Sequence, residues 1–342
     1  MMKSPLVRAR HIRKRLFEML EEIRNIRLTE AASQEELVSL QNALANSNRQ
    51  IVALDKTLVR IEAGLQTGQL SQHEMHATLY ETQHELQRQG RVLELLYEEE
   101  TYNLRELLKL RRSQSYARAF ADPEPLVSVV IPTYLNHELL VTRAIPSALG
   151  QTYPNIEVVV VGDGAPETTG RAIKALNDTR VRYENLTVRP SYPDDPAEFW
   201  SVAGTGPWNA AWELARGMWI APLNDDDSFR PEHIELLLAA ARAHRSEVSY
   251  GAIAQHHPDG TIQTLNSWPP ELGGFGWQAA LVHAELGFMP MQLGSGALRA
   301  PGDWSLCRRM RRAGVSFANI DDLVVDYYPS QLWSQEQKPS ET

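Results

Sequence analysis

Three carboxylates stand side by side at Asp225-Asp226-Asp227, after Asn224 and the apolar run Trp219-Ile-Ala-Pro-Leu223. Adjacent carboxylates repel, and placing three at the end of a buried run is costly unless a cation offsets them. Mg²⁺ or Mn²⁺ suits that role, because both take oxygen ligands, few from protein and the rest from water and phosphate. The chemistry implied is a metal-clamped diphosphate. A second carboxylate, Asp163, lies in the turn Gly162-Asp163-Gly164, where it can accept from a base N–H or a ribose hydroxyl. A third, Asp303, opens Gly302-Asp303-Trp304 at the start of a predicted helix. It reads as an N-cap, as a general base toward a hydroxyl, or as both.

The elements that must hold these residues alternate. Val127-Ser-Val-Val-Ile131 is a β-branched run ended by Pro132, and Ile156-Glu-Val-Val-Val-Val161 is a second. Val181-Arg-Tyr183 and Met218–Leu223 complete four predicted strands, with helices expected over 138–149, 168–177 and 208–216 and Pro146 disturbing the first. The β-α-β order argues a mostly parallel α/β sheet flanked by helices, with ligands at the carboxyl ends of the strands. Thr133, Tyr134, Asp163 and Asn224 to Asp227 sit at those ends. His256-His-Pro-Asp-Gly260 reads as a hairpin turn rather than a metal site. Trp268, Phe275, Trp277 and Phe288 offer aromatic faces to a ligand and serve at least as well as core.

The chain has 342 residues, a formal net charge of -9 and a single cysteine, Cys307. The acidic balance argues against a nucleic-acid partner. One cysteine excludes an intrachain disulfide, and no run reaches the roughly 18–20 apolar residues of a membrane span. The N-terminus is basic without the apolar stretch of a signal peptide, so the expected location is cytoplasmic. Residues 1–118 differ in grammar from the rest: Pro5 is their only proline. Leu37, Leu40, Leu44, Ser47, Ile51, Leu54, Leu58, Ile61 and Leu65 recur at 3,4 spacing, a heptad seam that asks for a partner helix. This predicts a coiled coil or helical hairpin and a homo-oligomer. An amphipathic helix near Leu6–Leu28, basic at Arg8, Arg10, Arg13, Lys14 and Arg15, could also touch an anionic membrane surface peripherally. A linker over 119–126, a catalytic domain over 127–330 and a polar tail over 331–342 complete the expected organisation.

Read in order, Val127-Ser-Val-Val-Ile-Pro-Thr-Tyr134, Ala144–Glu157, Val158–Gly164, Asn209–Gly217, Leu223–Asp227 and Gly302–Gly314 resemble the GT-A glycosyltransferases of family 2. The resemblance spans about 200 residues and leaves the helical region outside it. It implies an inverting transfer of a sugar from a nucleotide-diphosphate donor, a UDP-sugar being favoured, to a hydroxyl of a glycan, polysaccharide or glycoprotein. By it, Pro132, Thr133, Tyr134 and Asp163 line the nucleotide base, and Asn209, Asn224 and Asp225 belong to the donor site. Asp226 binds the divalent cation, Mg²⁺ or Mn²⁺, and Asp303 is the base. The sequence departs from the pattern at Gly162, Asn224 and Gly302, where acidic residues are common, and at Trp208, where a basic one is. Tyr327 and Tyr328 stand where a metal-completing His can occur. These departures motivate the alternative of a coiled-coil scaffold carrying a degenerate nucleotide-sugar binder.

Overall fold

The computed structural model of the protein describes residues 102–298 and 301–329. They belong to one compact unit that begins at Tyr102. The heptad seam, the basic amphipathic helix and the polar tail lie outside the described residues.

Residues 102–110 are helical and are followed by α1 (Gln114–Ala121). Ser113 caps α1, its side chain accepting from the Tyr116 N–H. Residues 119–121, expected in a linker, are thus the last turn of this helix. Ala119 is buried and its carbonyl accepts from the Trp219 indole at 3.1 Å. Leu107, Leu110 and Tyr116 pack with Val248, Tyr250, Cys307 and Met310, so this end of the helical half is part of the catalytic core.

β1 (Val127–Thr133) and β2 (Ile156–Gly162) are fully covered apart from Pro132. Period-two alternation explains why both faces are apolar. Val127, Val129, Ile131, Val158 and Val160 enter one core cluster, while Val130, Val159 and Val161 enter another with Trp208 and Ala211. Each such side chain contributes about 1.5–3 kcal/mol on burial. After β1 a helical segment begins at His137–Leu139, widens to a π-helix over Leu140–Ala144, and resumes as α2 (Ile145–Leu149). Pro146 is the cause: it has no N–H to offer and its ring crowds the carbonyl four residues back. The ladder shifts, and the Ile145 N–H reaches Leu140 O, five residues away.

The remaining elements are α3 (Glu167–Ala175), β3 (Val181–Asn185), α4 (Pro196–Val202), α5 (Thr205–Leu214), β4 (Trp219–Pro222), β5 (Ser228–Phe229), α6 (His233–His244), β6 (Val248–His256), β7 (Ile262–Leu265), β8 (Ala280–His283), α7 (Gly302–Ala313) and β9 (Phe317–Tyr327). The sheet order is β3-β2-β1-β4-β8-β6-β9-β5, with β7 on β6. β3, β2, β1 and β4 are parallel as expected. The whole sheet is mixed rather than mostly parallel: β8 runs antiparallel to both β4 and β6, and β5 runs antiparallel to β9. The reason lies in the connections. A short turn reverses the chain between β6 and β7, and the helices α6 and α7 still return it, so that β6 and β9 pair in parallel beside the antiparallel β8. The expected hairpin at His256–Gly260 is present as β6 and β7.

One buried ion pair locks residues 102–121 to this sheet. Glu247, fully buried, accepts from Arg111 Nε at 2.7 Å, Arg111 Nη2 at 3.0 Å, Tyr116 Oη at 2.7 Å and the Ser316 N–H at 2.7 Å. These donors hold its carboxyl below the usual range despite burial. A carboxylate with a depressed folded pKa stabilises the fold above its unfolded pKa and loses that contribution as pH falls. Arg111→Ala leaves the charge uncompensated and is expected to cost about 3 kcal/mol in urea unfolding at pH 7. The deficit relative to the parent should shrink below about pH 4.

Candidate active site

β1, β2, β4 and β9 deliver their carboxyl ends to one place. At the end of β1, Thr133 joins two neighbours. Its carbonyl accepts from the Asp163 N–H at 2.8 Å, and its hydroxyl donates to Asp225 Oδ2 at 2.7 Å. Pro132, the residue before it, has no N–H and ends the strand's apolar run.

Asp163 is 3% exposed. Its Oδ2 accepts from Arg189 Nε at 3.0 Å and Tyr192 Oη at 2.9 Å, while its buried Oδ1 has no protein partner among the described residues. The Arg189 guanidinium lies 4.2 Å from the Tyr134 ring centroid and 5.1 Å from that of Tyr192. A carboxylate oxygen without a protein partner, close to aromatic rings, has the chemistry to accept from the N–H of a flat polar heterocycle. Gly162 is dictated by space. A Cβ there would lie 2.4 Å from Asn185 Oδ1 and 2.8 Å from Tyr183 Oη. Asn185 cannot yield easily, because its amide both donates to Ala165 O and accepts from the Ala165 N–H.

The three adjacent aspartates have different surroundings. Asp225 accepts from Thr133, from Asn136 Nδ2 at 3.0 Å and from the Tyr134 N–H. Asp227, fully buried, accepts from Asn224 Nδ2 at 2.8 Å and the Tyr328 N–H at 2.9 Å. Asp226 is half-buried, and among the described residues its carboxylate takes only its own backbone N–H. Burial, then repulsion from Asp225, pushes Asp226 up to about 6. Burial, then repulsion from Asp226, pushes Asp227 up to about 8. A divalent cation fits this donor set: it would relieve the repulsion and supply Asp226 with the partner it lacks. No group of three His, Cys, Asp or Glu side chains able to hold a metal is present among the described residues. Mg²⁺ and Mn²⁺ can bind through one or two carboxylates and keep waters and phosphate oxygens as most of their ligands.

Asp303 stands in the first turn of α7, not at its cap, which is Pro301. Its Oδ1 accepts from the Trp304 N–H at 2.6 Å, and burial raises its pKa. The Tyr327 hydroxyl links it to the aspartate turn electrostatically: burial first, then the charges of Asp227, Asp226 and Asp303, push that phenol up to about 12. Asn209 faces elsewhere. Its amide donates to Met291 O at 2.9 Å and accepts from the Met291 N–H at 3.0 Å, clamping the loop after β8. Trp277 is core and donates to the Asp303 carbonyl, Trp268 is 61% exposed, and Cys307 is buried. Asn136, Arg143, Arg189 and Tyr192 also belong to the cluster, and the types and spacing of Asn136 and Arg143 gave no sign of it. Only the run Arg189-Pro-Ser-Tyr192 just after β3, pairing a cation with an aromatic at a strand's carboxyl end, carried a usable signal.

The family model described as Glycosyl transferase family 2 matches residues 128–190 and 204–313. Over 128 residues the chain is 34% identical to the succinoglycan biosynthesis protein ExoO of Rhizobium meliloti, covering 37% of this chain and 33% of that protein. It is 30% identical over 181 residues to the hyaluronan synthase of Pasteurella multocida, covering 52% and 17%. It is 31% identical over 102 residues to the UDP-Glc:alpha-D-GlcNAc-diphosphoundecaprenol beta-1,3-glucosyltransferase WfaP of Escherichia coli, covering 30% and 36%. The chain therefore spans between 17% and 36% of the length of these relatives.

Two outcomes test the geometry. A carboxyl whose folded pKa exceeds its unfolded value binds its proton more tightly when folded, so stability falls as pH rises between the two values. In EDTA, Asp227→Asn should therefore melt above the parent at pH 8 and with it at pH 4, Asn224 turning its amide to suit the new donor. Gly162→Asp, which inserts atoms against a clamped Asn185, should lower stability by about 1–3 kcal/mol in urea unfolding.

Proposed function

The chain belongs to glycosyl transferase family 2, and on that premise we propose that it is an inverting glycosyltransferase that moves a sugar from a nucleotide-diphosphate donor to a hydroxyl of a glycan or polysaccharide. The observation that supports this reading best is that the Asp226 carboxylate takes only its own backbone N–H among the described residues, while its charge and that of Asp303 both act on the Tyr327 phenol. In this reading one carboxylate receives the donor's cation and the other the acceptor's proton.

The nucleotide base stacks on Tyr134 beside Pro132 and Thr133, and its N–H donates to Asp163 Oδ1. Asp225, oriented by Thr133 and Asn136, accepts from the ribose. Asn224 acts through Asp227 rather than on the donor, and Asn209 by holding the Met291 loop. Asp226 would hold Mg²⁺ or Mn²⁺, and the cation would supply Lewis-acid stabilisation of the departing charge when bound. Asp303 takes the proton of the acceptor hydroxyl as its oxygen bonds to the anomeric carbon. The bond from that carbon to the phosphate oxygen breaks on the opposite face, and a nucleoside diphosphate leaves. A single in-line displacement inverts the configuration. Burial of Asp303 raises its pKa and makes it the stronger base.

A UDP-sugar is the favoured donor, supported by the similarity to the UDP-Glc-dependent glucosyltransferase of Escherichia coli. Assembly into a homo-oligomer through residues 1–101, peripheral membrane contact and a cytoplasmic location belong to this proposal. Among the described residues no helix is long and apolar enough to cross a membrane. The substitutions that would suggest a degenerate scaffold each have a structural use. Gly162 has no room for a side chain, Asn224 orients Asp227, and a Cβ on Gly302 would meet Ser201 O at 3.0 Å.

The test is turnover of a panel of UDP-, GDP- and dTDP-sugars by the full chain with Mn²⁺. Asp303→Asn should keep UDP affinity while kcat falls by about 10²–10⁴. Undiminished turnover by that variant would remove Asp303 from the role.

A further inference from the structure

The turn that carries Asp226 is gripped from outside by a side chain that the mechanism above does not use. Arg143 Nη1 donates to the Asp226 backbone carbonyl at 2.6 Å. The same guanidinium lies over the Tyr328 ring, 3.9 Å from its centroid. The His256 ring stacks on Tyr328 at 4.5 Å and 17°. Two planar groups this close to one ring cannot share a face without overlapping, so Tyr328 is sandwiched between them. His256 is itself fixed, because Nε2 lies 2.7 Å from Asp326 Oδ1, the oxygen that also accepts from Arg230 at 3.0 Å. Tyr328 closes the loop by donating its N–H to Asp227.

The strap draws on the π-helix, the end of β6 and the end of β9, and both of its ends finish on the aspartate turn. Its two grips differ. Asp227 is held through its carboxylate, whereas Asp226 is held through its backbone, which leaves that carboxylate uncommitted. A peptide carbonyl fixed by a charged donor restricts the dihedrals on either side of it, and with them the direction of the attached side chain. The π-helix is what carries Arg143, and π-helical turns recur where a side chain must be re-aimed at a site.

We propose that Arg143, backed by the Tyr328–His256 stack, is the positioning residue of the metal-binding carboxylate: it aims Asp226 at the cation of the donor without touching cation or donor. This rests on the assignment of Asp226 to the metal made above. Loss of a group that orients a ligand typically lowers metal affinity by 10–100-fold. The nucleotide base is bound on the other side of β1, at Asp163 and Tyr134, and does not depend on this strap.

The experiment measures two dissociation constants on the full chain by titration calorimetry: UDP in EDTA, and Mn²⁺ in saturating UDP. The variants are Arg143→Ala, Tyr328→Leu and, as reference, Asp226→Asn. The expected result is an Mn²⁺ constant weakened at least about tenfold in the first two variants, with metal-free UDP binding within about twofold of the parent. Arg143→Lys should restore only part of the loss, because a point charge lacks the fork that bonds the carbonyl while stacking on Tyr328. Unchanged Mn²⁺ affinity in Arg143→Ala, or equal loss of both constants, would overturn the proposal. Should Arg143→Ala not fold, Tyr328→Leu decides by the same two outcomes. If Asp226→Asn leaves Mn²⁺ binding intact, the metal assignment itself fails; if it abolishes binding while Arg143→Ala does not, only the positioning role fails.

Discussion

Repulsion among Asp225, Asp226 and Asp227 is the constraint around which the rest of this site is arranged. Three carboxylates on consecutive residues cannot all be buried and charged without compensation. The fold compensates two of them with its own donors. Thr133 and Asn136 at the end of β1 satisfy Asp225, and Asn224 with the Tyr328 N–H at the end of β9 satisfies Asp227. All three carboxyls are pushed up by burial, and the middle residue alone is left with open coordination, which is what a diphosphate-bound cation requires. β1 and β9 are far apart in the chain, so the site exists only when the sheet is complete.

The same logic governs the base-side pocket. Thr133 is shared: its hydroxyl serves Asp225 and its carbonyl fixes the Asp163 backbone. One residue thereby sets the spacing between the carboxylate proposed for the nucleobase and the one proposed for the ribose. Gly162 follows from this crowding, since the Asn185 clamp on Ala165 takes the space a side chain would need. The protein meets the family's requirement with one acid at this turn and supports it by Arg189 and Tyr192 rather than by a neighbouring carboxylate.

Much of this was legible in the sequence. Every β-branched run formed its strand, because two-sided apolar runs leave no other soluble solution. The aspartates were legible because their clustering is costly without a use. The grips on them were not. Asn136 and Arg143 come from segments distant from the aspartates in sequence, and nothing in an isolated Arg or Asn records which carbonyl or carboxylate it will meet. Asn209 illustrates the reverse. Its type fitted a donor site, yet its amide is engaged with the Met291 backbone. Antiparallel pairing of β8 was equally hidden, since local pattern specifies a strand but not its direction. At the other end of the unit, helical spacing alone could not say that Leu107, Leu110 and Ala119 pack onto the catalytic sheet, a joint fixed by the Arg111–Glu247 pair.

The division of labour among the three aspartates is tested most directly by a crystal structure of the protein with UDP and Mn²⁺. The account predicts the cation at about 2.0–2.3 Å from an Asp226 carboxylate oxygen. Asp225 should lie against the ribose, with Asp227 still bonded by Asn224 and the Tyr328 N–H. A cation ligated by Asp227, with Asp226 turned away into solvent, would contradict it.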